Sequence, residues 1–328
     1  MKVTSESLDS IGGRSRSSRV RRDWNGRRRH PERPVWDEEP NVATKTTKNV
    51  VLVLVVLAVL FPLWTVVITS FSTQGAITNA GGLVVVPTDL TVNAYQQILS
   101  GGVVTRSIGV SVIVTAGGTA LSLFVSILGA YALSRPGTLL HRPILFLVLI
   151  TMFFGAGMIP TYLLVSSLGL IDTLWALILP TSVSAFNVMI MRNFFINVDR
   201  SMIDCARIDG ASEWRILWQI VLPVSKAVVA VIGLFYGVAY WNAFFNAMLY
   251  INDSTLWPLQ LVLRSYVLQG QAIPGASAAE LGMDQGGTPA GLAIQMAVVV
   301  LAMVPILVVY PFVQRHFATG VMIGAVKG

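Results

Sequence analysis

Residues able to carry catalytic or metal chemistry are few in this chain and lie far apart. Its single cysteine is Cys205, and no two of its three histidines (His30, His141 and His316) have the spacing of metal ligands. None of its lysines ends a glycine-rich phosphate-binding loop. These observations exclude a disulfide framework, a multi-cysteine metal site and ATP binding through such a loop. We therefore expect no catalytic residue and no metal site, and we do not expect an enzyme.

One segment combines charged residues with strong turn signals. Asp199 is a good N-cap for a short helix that we expect to end near Ile208. Gly210 then suits the left-handed position that follows a helix. Ser212 can cap a second helix, and Glu213 in its first turn complements the helix dipole. The pattern predicts a helix, a glycine turn and a second helix, although two helices lying on a membrane without a partner remain an alternative.

The elements that must position this segment are long and apolar. Of the 328 residues, 54% are hydrophobic and 12% charged, about half the charged share of a soluble domain. Six stretches without Asp, Glu, Lys or Arg are long enough to cross a bilayer as helices: 50–71, 107–133, 143–165, 173–191, 227–250 and 290–311. We expect an all-α polytopic membrane protein with six transmembrane helices.

The basic residues predict how these helices are oriented. Of the 23 Lys and Arg, 12 lie in residues 1–49, and the connections alternate so that one side holds 21 and the other only Arg106 and Arg264. Loops rich in Lys and Arg stay in the cytoplasm, so both termini are expected there. The predicted organisation is a disordered basic cytoplasmic tail over 1–49, a six-helix transmembrane domain over 50–313 and a cytoplasmic tail over 314–328.

The basic tail is interpreted first as solvated chain. Contact with anionic membrane lipid is the sharper alternative, because basic residues near such a surface favour binding. No folded basic module follows the tail, so nucleic acid is not expected as a partner.

The segment after Asp199 also matches a known signature. It contains Asp204-Cys205-Ala206, three residues, Gly210, nine residues and Ile220-Val221-Leu222-Pro223. This order and spacing resemble the EAA motif of ABC importer permeases, which reads E-A-A, three residues, G, nine residues and I-x-L-P. The strings Ala206–Ser212 and Gly320–Gly328 resemble the carbohydrate-uptake branch, which includes the inner subunit of the maltose transporter, and are most similar to permeases for complex oligosaccharides. The resemblance runs from the first apolar stretch to the C-terminus.

The resemblance implies a fold, partners and a set of functional residues. It implies a type I ABC importer permease fold, a heterodimer with a second permease subunit, two ATPase subunits and an extracellular solute-binding protein that delivers a carbohydrate. ATP and Mg²⁺ would be held by the ATPase, and this chain would bind no cofactor. The segment 199–224 would couple the permease to the ATPase, through Asp204, Ala206, Asp209, Gly210, Ala211 and Glu213.

Two residues depart from the EAA pattern. Asp204 stands where the family usually has Glu, which keeps the carboxylate on a shorter arm. Cys205 replaces the first Ala, and we expect a small buried thiol at a helix contact.

The fifth apolar stretch and Asn187 of the fourth carry the candidate residues for a solute path. Gly233 and Gly237 have the spacing of a close helix contact, and Asn242 and Asn246 would lie on the opposite face of one continuous helix. If the glycines pack against a neighbour, the asparagines face a pathway, where amides and aromatic rings suit a sugar. The candidates are Asn187, Tyr240, Trp241, Asn242 and Asn246. Hydrogen bonds between helices are the alternative role for these asparagines.

Two other functions remain open from the sequence. One is an ion-coupled secondary transporter, which normally has an ionisable residue or a repeated broken helix inside the membrane. The other is a non-transporting membrane scaffold subunit, in which the glycine-turn segment serves contact alone.

Overall fold

The computed structural model describes residues 42–100, 102–135, 137, 140–265 and 291–325, with the side chains of 312–325 left out of the description. Most of the predicted basic tail lies outside these residues. The chain divides into two units at Leu60 and Phe61. The described residues of the first unit, 42–60, are helical with exposed side chains. The described residues of the second unit are mainly helical, with one isolated antiparallel bridge between Ser72 and Leu90.

In chain order the helices are α1 (Val42–Ser70), α2 (Gln74–Asn79), α3 (Asn93–Leu99), α4 (Val103–Ser134), α5 (His141–Phe153), α6 (Met158–Ser167), α7 (Leu174–Ile178), α8 (Ala185–Ile196), α9 (Arg200–Ile208), α10 (Glu213–Ile216), α11 (Leu222–Val224), α12 (Lys226–Trp241), α13 (Phe245–Tyr250), α14 (Leu259–Leu263) and α15 (Leu292–Ala325). A π-helical turn (Leu217–Val221) joins α10 to α11, and 3₁₀ turns occupy Leu179–Thr181 and Ser254–Leu256.

Three of these helices are long and apolar enough to cross a membrane by themselves: α1, α4 and residues 292–311 of α15. Three further crossings are possible if each of three bent helix pairs counts as one. These pairs are α5 with α6, bent by 118°; Leu174–Thr181 with α8, bent by 51°; and Glu213–Val224 with α12, bent by 85°. The helical membrane architecture agrees with the sequence, and the number of six crossings stays a prediction.

The expectation of one continuous helix over 143–165 is wrong. The chain leaves the helix after Phe153 and resumes it at Met158. Gly155 and Gly157 lie in the break, and Gly157 has φ +83°, a backbone conformation that glycine adopts without strain. Pro160 in the next turn has no N–H to donate, which further weakens helical continuity.

The fifth apolar stretch is also interrupted, which corrects the predicted continuous helix over 227–250. Helix α12 ends at Trp241 and α13 begins at Phe245. The carbonyl oxygen of Val238 accepts two hydrogen bonds from Asn242, one from its backbone N–H at 3.1 Å and one from its side-chain amide at 2.9 Å, and the second competes with further helical bonding. Asn242 and Asn246 therefore belong to different helices.

Helices extend into both segments predicted as tails, and the predicted domain boundaries stay predictions. The first helix begins at Val42, inside the predicted tail over 1–49, and the last one continues to Ala325 through most of the predicted tail over 314–328. Neither 42–49 nor 312–319 contains a glycine or proline, so the sequence has no local signal that would stop a helix there.

Helices α4 and α12 pack side by side at the centre of the second unit. The predicted small-residue contact is confirmed, because a Cβ added to Gly233 would lie 3.1 Å from Leu123 and one added to Gly237 would lie 3.6 Å from Thr119. Gly118 of α4 faces the ring of Tyr240, where an added Cβ would come within 2.7 Å. Small residues on both helices thus permit the close approach.

Buried hydroxyl groups connect these two helices. Ser122 pairs with Tyr240 at 2.9 Å between the oxygens, and Ser126 pairs with Tyr236 at 2.7 Å. The Tyr240 hydroxyl also donates to the carbonyl of Ile178, and the Tyr236 hydroxyl accepts from the backbone N–H of Ser184. We call these four side chains, Ser122, Ser126, Tyr236 and Tyr240, the hydroxyl ladder. It fixes the register of α4 on α12 and links both to the α7–α8 region.

Candidate functional site

The segment 199–224 has the helix–glycine–helix form that its sequence predicts. The Asp199 side chain accepts a hydrogen bond from the N–H of Ser201 at 2.9 Å, which caps α9. At the other end, the N–H of Ala211 bonds to the carbonyl of Ala206 at 2.9 Å, and that of Gly210 bonds to the carbonyl of Arg207 at 3.0 Å. With Gly210 at φ +79°, this is the Schellman arrangement, which satisfies the last carbonyls of the helix.

Ser212 caps the second helix, as predicted, since its hydroxyl accepts a hydrogen bond from the N–H of Arg215 at 3.4 Å. Leu217 is only 2% exposed and packs in the core, whereas Trp214 and Trp218 are 58% and 49% exposed. The apolar side chains of this short stretch are thus divided between core and surface.

Glu213 is the centre of the electrostatic network in this segment. One carboxylate oxygen accepts two hydrogen bonds from the Arg207 guanidinium, at 2.8 and 3.2 Å, and the other accepts one from the Tyr131 hydroxyl. Arg135 donates to the same hydroxyl at 3.2 Å and lies over the Tyr131 ring. Because Tyr131 lies in the last turn of α4 and Arg135 directly follows that helix, the network ties the turn segment to α4. We call these four residues the Glu213 network.

These contacts shift two acid–base equilibria. The hydrogen bond from Tyr131, assisted by Arg207, holds the pKa of the Glu213 carboxyl below its usual value. The bond to Glu213 raises the pKa of the Arg207 guanidinium above its usual value. Both groups therefore keep their charge over the physiological range.

All six predicted coupling residues lie within this compact segment. The Asp204 side chain is 66% exposed, with one carboxylate oxygen 3.7 Å from Arg207, and Asp209 is exposed at the helix end. Ala206 and Ala211 are half-buried against the core. The expectation that Cys205 is buried is wrong, since its thiol is exposed on the outer side of α9.

The sequence did not identify Arg207, Tyr131 and Arg135 as members of this site. Tyr131 and Glu213 are 82 positions apart, and nothing local in the sequence indicates that they meet. The four-residue spacing of Tyr131 and Arg135 at the end of an apolar stretch was the only available signal.

The predicted path residues are not gathered on one face. Tyr240 and Trp241 are each 5% exposed inside the helix packing, and the indole N–H of Trp241 donates to the carbonyl of Ala302 at 2.8 Å. Both side chains are thus enclosed by neighbouring helices, and their part in a solute path stays a prediction. Asn187 is buried, Asn246 is half-buried and Asn242 is exposed. Their contact with a solute stays a prediction.

A second polar site, which the sequence did not suggest, joins the α6–α7 loop to the residues after α13. The Asp172 carboxylate accepts hydrogen bonds from the N–H groups of Asn252 and Asp253 and from the Asn252 side chain. These bonds lower the pKa of Asp172. Asp172 itself has φ +59°, and its N–H donates to the carbonyl of Tyr250 at 2.9 Å.

Residues 121–323 match the family model described as the binding-protein-dependent transport system inner membrane component. The chain belongs to this family. It is 44% identical over 277 residues to the polygalacturonan/rhamnogalacturonan transport system permease protein YtcP of Bacillus subtilis (strain 168), covering 84% of this chain and 96% of that protein. Protein LplC of the same organism is 43% identical over 82% of this chain and 90% of its own length.

A solved structure agrees with these relatives. A bacterial ABC transporter involved in the import of the acidic polysaccharide alginate contains a chain with a TM-score of 0.77 and 29% identity. The match covers 85% of this chain and 99% of that one. The resemblance to ABC permeases of the carbohydrate branch is thus confirmed, and with it the helical permease fold. Proteins of this family are membrane subunits of importers and are not themselves enzymes.

Proposed function

We propose that this chain forms half of the translocation path of an ATP-driven oligosaccharide importer and receives the force of ATP hydrolysis through segment 199–224. Membership of the importer family and the sugar polymers named for its relatives support the cargo class. The Glu213 network carries the proposal for the segment, because it connects the glycine turn directly to α4.

The surface of the segment favours a protein partner. Ile208 is 86% exposed and Trp214 58% exposed, and both lie among charged side chains rather than in a continuous apolar span. Large apolar groups grouped with charges on one short segment are typical of a docking surface. Asp204, which is exposed beside them, can offer its carboxylate to a basic group of an ATPase.

The remaining partners follow from the family. They are a second permease subunit, two ATPase subunits that hold ATP and Mg²⁺, and an extracellular solute-binding protein. The distribution of Lys and Arg supports an orientation with both termini and segment 199–224 in the cytoplasm.

Gly210 offers a direct test of the docking role. A Cβ at this position would meet no atom of the chain within 4 Å, so Gly210→Val acts within the chain only through the positive φ, which a β-branched residue strongly disfavours. Gly210→Asn is the matched control, since asparagine tolerates this conformation. In the purified complex, we expect Gly210→Val to lose ATPase subunits and solute-stimulated ATP hydrolysis, and Gly210→Asn to retain most of both.

Normal ATPase association and normal stimulated hydrolysis in Gly210→Val would remove the docking role from this segment. Loss of both in Gly210→Val and in Gly210→Asn would indicate that any side chain at this position obstructs the partner. The docking role would then stand, but the explanation through the positive φ of Gly210 would be wrong.

A further inference from the structure

Arg264 is a half-buried arginine without an acidic partner in the described part of the chain. It follows the last residue of α14, and its guanidinium carbon lies 4.6 Å from the centre of the Phe244 ring. The Nε atom is buried and makes no hydrogen bond with any described residue. No carboxylate oxygen of the described residues lies within 4.0 Å of it. Buried guanidinium N–H groups are normally paired, so this one is available to a group from outside the described residues.

The supports of Arg264 are rigid. Leu259 and Val262 of α14 have no exposed surface, and the N–H of Leu259 donates to Ser111 of α4 at 2.8 Å. Leu259, Leu261 and Val262 all pack in the hydrophobic core. Arg264 is therefore carried by a fixed element rather than by an arm lying in the headgroup layer.

The location of Arg264 is next to the interruption of the fifth apolar stretch. Phe244, on which the guanidinium stacks, lies between the end of α12 and the start of α13. Asn242 is exposed in the same interruption, and its side-chain oxygen accepts no hydrogen bond from a described residue. A planar cation, an aromatic ring and an amide in one short region suit a ligand with carboxylates, C–H surfaces and hydroxyls.

We propose that Arg264 binds the carboxylate of the transported molecule, and that the cargo is an acidic oligosaccharide built of uronic acid units. This inference rests on the proposed importer function and specifies its substrate class. The guanidinium would bind one carboxylate through two parallel hydrogen bonds, with Phe244 holding its plane. Neutral sugars can accept hydrogen bonds from Arg264 through their hydroxyls, but they lack the negative charge and the paired oxygens of a carboxylate.

Uptake of two probes by cells carrying the full chain with its partner subunits tests the proposal. The probes are trigalacturonate and its fully methyl-esterified form, which has the same skeleton without the negative charges. We expect Arg264→Gln to raise the trigalacturonate concentration for half-maximal uptake roughly tenfold or more, because a hydrogen-bonded charge contact is lost. Arg264→Lys, which keeps the charge but not the planar fork, should give a smaller increase.

Arg106→Gln is the matched control, since Arg106 is the other arginine predicted on that side but is exposed. It should leave uptake of trigalacturonate unchanged. Unchanged uptake in Arg264→Gln, or equal losses in Arg264→Gln and Arg106→Gln, would overturn the proposal, as would a reduced amount of Arg264→Gln chain in the membrane that accounts for the whole loss.

The wild type separates this inference from the importer function. If it takes up the methyl ester but not trigalacturonate, the acidic cargo is wrong and the importer function stands. If it takes up neither probe and no ATPase subunit copurifies, the importer function itself is contradicted.

Discussion

Two tyrosine-centred contacts hold α4 in place, and they differ in almost every physical respect. At its C-terminal end, Tyr131 bonds to the ionised Glu213, whose side chain is 53% exposed, and the partners belong to a short segment with three caps. Along its middle, Ser122 and Ser126 bond to Tyr240 and Tyr236, neutral groups that are fully enclosed.

Because of this difference, the Glu213 network can break and re-form at little cost, whereas the hydroxyl ladder cannot. Exposed charged groups keep water as an alternative partner, so breaking the Glu213 network costs little. Buried hydroxyls have no alternative, and each one left unpaired costs about 1–3 kcal/mol. The hydroxyl ladder therefore suits a rigid body, and the Glu213 network suits a joint between that body and a moving partner.

The largest loss of stability is expected at the closest contact between α4 and α12, where Gly118 faces Tyr240. In Gly118→Ala, the new Cβ would stand within 2.9 Å of three ring carbons of Tyr240, which two hydrogen bonds hold in place. Overpacking of this kind should lower the free energy of unfolding by about 2–3 kcal/mol. Thermal unfolding of the purified chain in detergent measures it. Gly117→Ala, with Ile178 4.0 Å away, is the neighbouring control and should be neutral or stabilising.

A smaller loss of unfolding free energy is expected when one hydroxyl group is removed from the hydroxyl ladder. Tyr236→Phe keeps the ring but leaves Ser126 and the N–H of Ser184 without their partner, for a loss of about 1–2 kcal/mol in the same unfolding assay. Tyr310→Phe removes a hydroxyl from an exposed ring and should change nothing. Equal stability of Tyr236→Phe and wild type would contradict the rigid-body interpretation.

Acid should break the Glu213 network at a higher pH than it breaks the hydroxyl ladder. The pKa of Glu213 is lowered in the folded chain, so its contribution to stability is present above the unfolded pKa of about 4.3 and is lost as pH falls through the folded value. Hydrogen exchange of residues 211–216 should stay slow from neutral pH down to about 5, after correction for the intrinsic rate, and accelerate below about 4. Glu213→Gln should abolish this transition. In Tyr131→Phe, which removes the main cause of the lowered pKa, the transition should move to higher pH; an unmoved transition would assign it to another group.

The smallest effect on the chain itself is expected at Asp204. Its pair with Arg207 is exposed at 3.7 Å, so Asp204→Ala should change stability by about 0.2–0.5 kcal/mol. A much larger loss in the copurification of ATPase subunits would show that the carboxylate acts in docking. Asp209→Ala, which removes an exposed carboxylate five positions later in the same segment, provides the comparison.

The two regions also differed in how far the sequence predicted them. Asp199, Gly210 and Ser212 act on backbone groups within three residues, so capping rules were sufficient for the glycine-turn segment. The hydroxyl ladder joins residues more than 100 positions apart, and a serine on an apolar helix carries no sign of its partner. The bonds of the Tyr240 hydroxyl to Ser122 and Ile178 could not be predicted for the same reason, because a polar atom inside a membrane protein can face a solute or another helix.

Glu213–Val224 and α12 meet at an angle of 85°, so the segment that carries Glu213 is one arm of an L-shaped pair of helices and α12 is the other. The N–H of Ser225 bonds to the carbonyls of Val221 and Leu222, and Ser225 is 6% exposed, so the corner is closed by hydrogen bonds and enclosed by neighbours. The short arm is about 18 Å long and α12 about 24 Å, at 1.5 Å per residue. A sideways displacement of the short arm would then become a swing of α12 at right angles to it, about one-third larger at the far end. That end is Trp241, which directly precedes the interruption that contains Phe244. The movement of α12 would therefore be largest close to Arg264.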